Sequence, residues 1–151
     1  MNITLNIETS TDICSIALAD GEKLIGYQTV KERNVHAQKL TVMVKGLLEG
    51  HGLKMQSLDA VAVAKGPGSF TGLRIGVAVA KGLCYGLEIP LISVHTLKAL
   101  VNGIPKGYHD KNHLFCTLID ARNREVYTAI WDSSLKEIEK TRIGQLDEGV
   151  V

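Results

Sequence analysis

The fold is decided by the stretch Lys65-Gly66-Pro67-Gly68-Ser69-Phe70-Thr71-Gly72-Leu73-Arg74-Ile75-Gly76, in which a glycine–proline loop runs straight into a long helix. A loop of this composition indicates a tight turn or a backbone that approaches another group closely. The helix predicted over residues 70–85 has Arg74 and Lys81 as its only charged residues. A helix that is apolar nearly all round is usually buried nearly all round. The stretch therefore predicts an α/β protein bound to a partner rather than a free-standing enzyme.

The composition excludes several classes of protein. Among 151 residues, 17 Lys and Arg balance 16 Asp and Glu, so the chain lacks the basic field that nucleic-acid binders use. Cys14, Cys84 and Cys116 form no Cys-x-x-Cys pair, which favours reduced thiols in the cytoplasm over a zinc ribbon or a disulfide framework. The start of the chain shows no signal-peptide pattern. Charged residues and a proline interrupt the apolar run 73–92, so no membrane span is predicted.

The hydrophobic periodicity predicts an ordered series of strands and helices around the loop. Three antiparallel strands come first, over residues 3–7, 14–18 and 23–29. A helix over 35–50 with Asn34 as its N-cap, a strand over 60–64, the helix over 70–85, a strand over 91–94 and a small helix over 96–102 follow. This order resembles the actin-like, ribonuclease-H-like ATPase (ASKHA) α/β fold, in which two lobes face each other across a cleft.

The same order predicts one complete lobe and an incomplete second lobe. Residues 1–104 form the first actin-like lobe. Residues 105–151 form a linker and the opening hairpin of the second, with strands over 114–119 and 126–131 and a weaker strand near 138–143. The hairpin is apolar on both faces, and no helix follows it in the sequence to cover them.

The glycine loop departs from two known nucleotide-binding motifs. It is not a Walker A loop, because Leu73-Arg74 follows Gly72, and it is not a dinucleotide fingerprint, because Thr71 replaces the third glycine. Two interpretations stay open: the loop presents N–H groups to an anion, or its glycines let the helix pack close to the sheet. The turn at Glu8 lies where actin-like ATPases hold phosphate or its metal, although it is also explained as a capped turn. Candidate residues of a vestigial nucleotide site are Glu8, Thr9, Ser10, Gly66 and Gly68.

No catalytic or metal site can be assembled from the sequence. The five histidines include no i, i+4 pair on a predicted helix and no His-Glu-x-x-His motif. His109 and His113 are four residues apart but lie in a polar linker. Ser69 and Cys84 have no recognisable base. The prediction is therefore no catalytic residue, no metal and no cofactor.

Several of these stretches resemble the TsaB (YeaZ) family of bacterial proteins. The matching segments are residues 7–11, 14–18, His36, 65–76, 86–90, 93–97, and Asp120-Ala121-Arg122 with Glu125-Val126-Tyr127. The resemblance implies a non-catalytic, actin-like subunit that partners a related catalytic protein, TsaD, and an ATPase, TsaE. Their complex attaches a threonylcarbamoyl group to an adenosine of tRNA. The resemblance therefore implies that this chain contacts tRNA only as part of the complex. Family members usually run well beyond residue 151, so the chain is expected to be either truncated or a short member.

The resemblance also argues against metallopeptidase activity. In the catalytic relative, two histidines after the corresponding strand bind metal, and here Thr96 and Leu100 stand at those positions. Neither side chain is a useful ligand for iron or zinc. His95 aligns with a histidine that is not a ligand. The older glycoprotease-like label of the superfamily thus finds no support in these residues.

The helices carry a second apolar stripe beyond the one that a sheet needs. On the first helix, Leu40, Met43, Val44, Leu47 and Leu48 face the sheet. The predicted interface residues are Val35, Lys39, Val42 and Gly46 on the first helix and Ile75, Val79 and Gly82 on the second. The stripe predicts helix–helix packing with a TsaD-like partner, and a homodimer in isolation. The alternatives are coverage by the same lobe and an independent actin-fold ATPase or phosphotransferase.

Overall fold

The computed structural model describes residues 2–31, 36–109 and 113–145. The chain divides into two compact units. The first takes the residues up to Lys65 and those from Ser69 to Val94, and the second takes Gly66–Gly68 and the residues from His95 onward. The helix after residue 95 therefore belongs to the second unit, whereas the predicted division into lobes at residues 104 and 105 stays a prediction.

The first unit is built on a five-stranded sheet in the order β3-β2-β1-β4-β5. Its strands are β1 (Ile3–Glu8), β2 (Ile13–Asp20), β3 (Lys23–Lys31), β4 (Ala60–Ala64) and β5 (Leu91–Val94). The first three are antiparallel, β4 pairs parallel to β1, and β5 pairs parallel to β4. Alternate residues of β1 are buried, and every residue of β4 is buried, as expected for a central parallel strand. The predicted sheet with its antiparallel edge is confirmed.

Two helices pack in one core with the buried side chains of β1. Helix α1 (His36–Gly50) buries the five apolar residues that the sequence assigned to the sheet, so this prediction is confirmed. Its predicted start at Val35 and N-cap at Asn34 lie outside the described residues. His36 is also buried, and its Nε2 donates to the carbonyl oxygen of Thr11 at 3.0 Å. This bond anchors the start of α1 to the β1–β2 turn.

Helix α2 (Phe70–Leu87) begins at Ser69, whose hydroxyl accepts a hydrogen bond from the Gly72 N–H. Its last residue, Leu87, lies two residues beyond the predicted range, and the C-cap Glu88 adopts a left-handed conformation. Its buried residues recur every four positions: Gly72, Gly76, Ala80 and Cys84. In the single chain these small residues let one side of α2 press onto the sheet, and burial of the other side by a partner stays a prediction.

The second unit packs one short helix on a three-stranded antiparallel sheet. Its elements are α3 (Thr96–Asn102), β6 (Phe115–Arg122), β7 (Glu125–Trp131) and β8 (Glu137–Gln145), with strand order β6-β7-β8. Leu97 and Val101 of α3 form a core with Ile119, Ala129 and Trp131. The expectation of a hairpin without a covering helix is therefore wrong for one face, because the covering helix precedes the strands in the chain. The weaker predicted strand is confirmed as β8.

Two features are absent from the described ranges. No helix there has the length and apolar character needed to cross a membrane. No group of three or more His, Cys, Asp and Glu side chains in these ranges is placed to hold a metal ion.

Candidate functional site

The β1–β2 turn, which the sequence nominated as a vestigial nucleotide site, is filled by its own side chains. The carboxylate of Glu8 accepts a hydrogen bond from the backbone N–H of Ser10 at 2.6 Å. The carbonyl of Ser10 in turn accepts from the N–H of Ser69, also at 2.6 Å. Thr9 and Ser10 are buried, and their hydroxyl oxygens have no hydrogen-bond partner. The Ser10 N–H is thus already bound by an internal carboxylate, as in a capped turn.

Gly72 and Gly76 bring α2 against this turn. A Cβ on residue 72 would collide with the carbonyl oxygen of Thr9, and a Cβ on residue 76 would collide with the hydroxyl of Thr9. Close packing of helix on sheet is therefore a role of the glycines inside the helix. Close packing was one of the two interpretations that the sequence left open for the glycines of the stretch 65–76.

Gly66 and Gly68 lie in the loop that is grouped with the second unit. Gly66 has φ +103° and Gly68 has φ +151°, a conformation that other residues rarely adopt. The carbonyl of Gly66 accepts from the N–H of Thr96 at 3.0 Å. The structure therefore gives these glycines a backbone role within their own unit.

The two nucleophile candidates have structural roles. The hydroxyl of Ser69 caps α2. Burial raises the pKa of the Cys84 thiol, and the thiol donates to the carbonyl of Pro90 at 3.4 Å. A thiol with a raised pKa is a poor nucleophile at neutral pH. Neither residue is placed for catalysis.

The outer sides of α1 and α2 form the largest set of predicted site residues that the structure leaves accessible. We define the helical face as Val42 and Gly46 of α1 with Phe70, Arg74, Ala78, Gly82 and Tyr85 of α2, all of which are exposed. Val42 is 68% exposed, and a Cβ on Gly46 or Gly82 would meet no atom within 4 Å. Because both helices bury their other sides in one core, this face points away from the sheet. Small residues here would allow another helix to approach closely.

The other four predicted interface residues are not part of the helical face. Ile75 and Val79 are half-buried and pack against the core of the first unit, so they contribute to the core rather than to the exposed face. Lys39 is half-buried. Val35 lies outside the described residues.

Sequence reasoning missed the aromatic ends of the helical face. Phe70 is 74% exposed and Tyr85 is 90% exposed, although the sequence pattern indicated a helix that is apolar nearly all round. The guanidinium of Arg74 lies 5.2 Å from the centre of the Phe70 ring, which is a cation–π contact. The four-residue spacing of 70, 74, 78 and 82, with Tyr85 one turn on, was the available signal. Exposed aromatic and arginine residues are typical of protein interfaces.

Comparison with known proteins gives a consistent result. Residues 30–149 match the family described as TsaD, tRNA N6-adenosine threonylcarbamoyltransferase. The tRNA threonylcarbamoyladenosine biosynthesis protein TsaB of Escherichia coli is 39% identical over 127 residues, and that of Haemophilus influenzae is 36% identical over 128 residues. Both alignments cover 83% of this chain. The structure of YeaZ from Pseudomonas aeruginosa superposes with a TM-score of 0.83 at 30% identity, covering all of this chain and 71% of that one.

The chain spans about half the length of the curated relatives that it matches, with 52% and 53% of those two proteins covered. The strand order and the superposition on YeaZ both identify the fold as the actin-like, ribonuclease-H-like α/β fold.

Proposed function

The chain belongs to the TsaB (YeaZ) family, and on this basis we propose that it is a non-catalytic subunit of the machinery that makes threonylcarbamoyladenosine in tRNA. In this proposal it binds a TsaD-like catalytic relative and activates or stabilises it. A TsaE-like ATPase belongs to the same complex. The complex works in the cytoplasm, and tRNA reaches this chain only through its partners.

The helical face is the observation that carries the proposal. It consists of exposed residues on two helices of one core, and it combines the small residues Gly46, Ala78 and Gly82 with Phe70, Arg74 and Tyr85. Glycine inside a helix costs about 1 kcal/mol relative to alanine, and nothing within the first unit requires glycine at positions 46 and 82. Close packing against another helix would explain both residues. In the absence of a partner, we propose that the helical faces of two copies of the chain meet in a homodimer. The TsaD-like partner competes for the same face.

The non-catalytic part of the proposal rests on what the candidate residues do. Glu8 binds the N–H of Ser10, Ser69 caps a helix, and the pKa of Cys84 is raised by burial. Thr96, at a position where the catalytic relative has a metal-binding histidine, is buried at the start of α3. These residues offer no nucleophile with a base and no ligand set.

Reconstitution tests the proposal. The TsaD-like and TsaE-like proteins from the same source, supplied with tRNA, ATP and an activated threonylcarbamoyl donor, are assayed for threonylcarbamoyladenosine formation with and without this chain. We expect modification only when the chain is present. Equal modification without it would overturn the activating role.

A calorimetric titration of the chain alone with ATP separates this proposal from an independent ATPase. We expect no binding heat, because the turn is occupied by Glu8. Clear saturable binding would favour the ATPase.

A further inference from the structure

Helix α2 carries charge of one sign only. Arg74 and Lys81 are its charged residues, both are exposed, and the helix contains no Asp or Glu. The two residues are seven positions apart, close to two helical turns, so their side chains leave the helix on the same side, about 10 Å apart along its axis. Arg74 belongs to the helical face, and Lys81 adjoins it beside Gly82. The exposed side of α2 therefore presents two cations.

Neither cation is neutralised within the described part of the chain. The guanidinium of Arg74 lies 5.2 Å from the centre of the Phe70 ring, which orients it without cancelling its charge. None of the ion pairs among the described residues includes Arg74 or Lys81. Glu49 is the only acidic residue of α1 and α2, and its Oε1 lies 3.8 Å from Nζ of Lys45. The charge left over on the exposed sides of the two helices is positive.

A second copy of the chain meets these cations with cations of its own. In a two-fold symmetric dimer each copy presents the same patch to the other, so Arg74 and Lys81 find no carboxylate on the α2 of the second copy. Like charges that face each other across an interface are unfavourable, and at about 0.1 M salt they act over a distance of about 10 Å. A homodimer through the helical face therefore has an electrostatic cost that added salt reduces.

We propose that the helical face prefers a partner surface that presents carboxylates opposite Arg74 and Lys81, and that an acidic helix of the TsaD-like subunit supplies them. This inference rests on the proposed function and adds the chemistry of the partner. The guanidinium of Arg74, oriented by the Phe70 ring, donates to one carboxylate, and the ammonium group of Lys81 pairs with another. The small residues Ala78 and Gly82 allow the partner helix to approach between these contacts.

The salt dependence of binding tests this preference. The chain is titrated with the TsaD-like protein from the same source by isothermal titration calorimetry at two concentrations of sodium chloride. We expect the Kd to rise at least about threefold between about 50 mM and about 500 mM salt, because salt screens attraction between exposed charges.

A neutral variant shows which charges are responsible. At low salt, Arg74→Gln with Lys81→Gln should weaken binding of the TsaD-like protein at least about threefold and remove most of its salt dependence. The control is Lys23→Gln with Lys31→Gln, which removes the same charge from exposed positions on β3 and should bind like the wild type. Far-UV circular dichroism confirms that both variants are folded.

Self-association should respond in the opposite direction. In sedimentation at low salt, we expect the wild type to self-associate no more tightly than the neutral variant, because neutralisation removes repulsion between the two copies. General damage to the surface would weaken both kinds of binding together.

Three results would overturn the inference: a Kd for the TsaD-like protein that does not change with salt, a neutral variant that binds it as tightly as the wild type, or a wild type that self-associates more tightly than the neutral variant. Each of these leaves the proposed function intact if the wild type binds the TsaD-like protein. Failure of the wild type to bind it at all would overturn both.

Discussion

The carbonyl oxygen of Thr9 occupies the space that a Cβ on residue 72 would need, so Gly72 sets how closely α2 approaches the β1–β2 turn. Because this oxygen belongs to the backbone, it cannot move away from an added methyl group as the end of a flexible side chain could. The contact fixes the start of α2 and, with it, the orientation of the exposed residues that follow.

Replacing Gly72 by alanine should therefore destabilise the chain. We expect Gly72→Ala to lower the free energy of unfolding by about 2 kcal/mol or more, because the added methyl group forces the turn and the helix apart. Gly86→Ala is the matched control in the same helix, since nothing lies within 4 Å of its Cβ. It should leave stability unchanged or raise it by up to about 1 kcal/mol. Urea unfolding followed by circular dichroism measures both, and equal stabilities would contradict the packing described here.

The three thiols should differ in reactivity. Burial raises the pKa of the Cys14 and Cys84 thiols, whereas Cys116 is exposed. In the folded protein we expect an aromatic disulfide reagent at mildly alkaline pH to label Cys116 first. All three should react in urea. Cys116→Ser should remove the fast reaction, and a fast reaction that persists in this variant would show that a buried thiol is accessible.

The stability of the β7–β8 loop should depend on pH through Asp132. Hydrogen bonds, chiefly from the Ser134 hydroxyl, hold the pKa of the Asp132 carboxyl below its ordinary value. Because the folded pKa is lower than the unfolded one, the carboxylate stabilises the folded state above the unfolded value of about 3.9. That contribution is lost as the pH falls through the folded pKa.

The difference in unfolding free energy between wild type and Asp132→Asn should therefore be constant from about pH 5 to 7 and shrink below about pH 4. Urea unfolding at a series of pH values measures it. A difference that stays constant into the acid range would show that Asp132 has no such role.

Self-association should depend on Gly46. Leucine fits at this position without disturbing the fold, because the space around it is open and the buried side of α1 is unchanged. We expect the wild type to sediment as a dimer at tens of micromolar and Gly46→Leu to sediment as a monomer, because the larger side chain blocks close approach of the helices. Circular dichroism checks the fold. A monomeric wild type, or a folded variant that dimerises equally well, would exclude this surface as the interface.

Local patterns were sufficient to predict the first unit. The alternation of β1 and the apolar side of α1 are set by residues that are neighbours in the chain, and both were predicted correctly. The role of α3 was missed, because a helix of seven residues is short and its contacts, such as Leu97 with Ile119, join distant parts of the sequence.

Features that depend on tertiary packing could not be predicted from the sequence. The exposure of Phe70 and Tyr85 depends on which side of α2 meets the sheet, and that is decided by close contacts at Gly72 and Gly76. The left-handed Leu135 contradicts its local preference and is held by hydrogen bonds to Asp132. The sequence likewise could not show whether the turn at Glu8 is filled or open to an anion. That depends on the hydrogen bond between Glu8 and Ser10, which only the structure shows.

The central claim is that the helical face binds a TsaD-like subunit, and isothermal titration calorimetry with the TsaD-like protein from the same source tests it most directly. The variant is Gly46→Leu with Gly82→Leu, and the control is Gly107→Leu, an equally open position in the second unit. We predict saturable binding by the wild type and the control, and at least about tenfold weaker binding by the double variant. No binding by the wild type at tens of micromolar, or unchanged affinity in the folded double variant, would contradict the account.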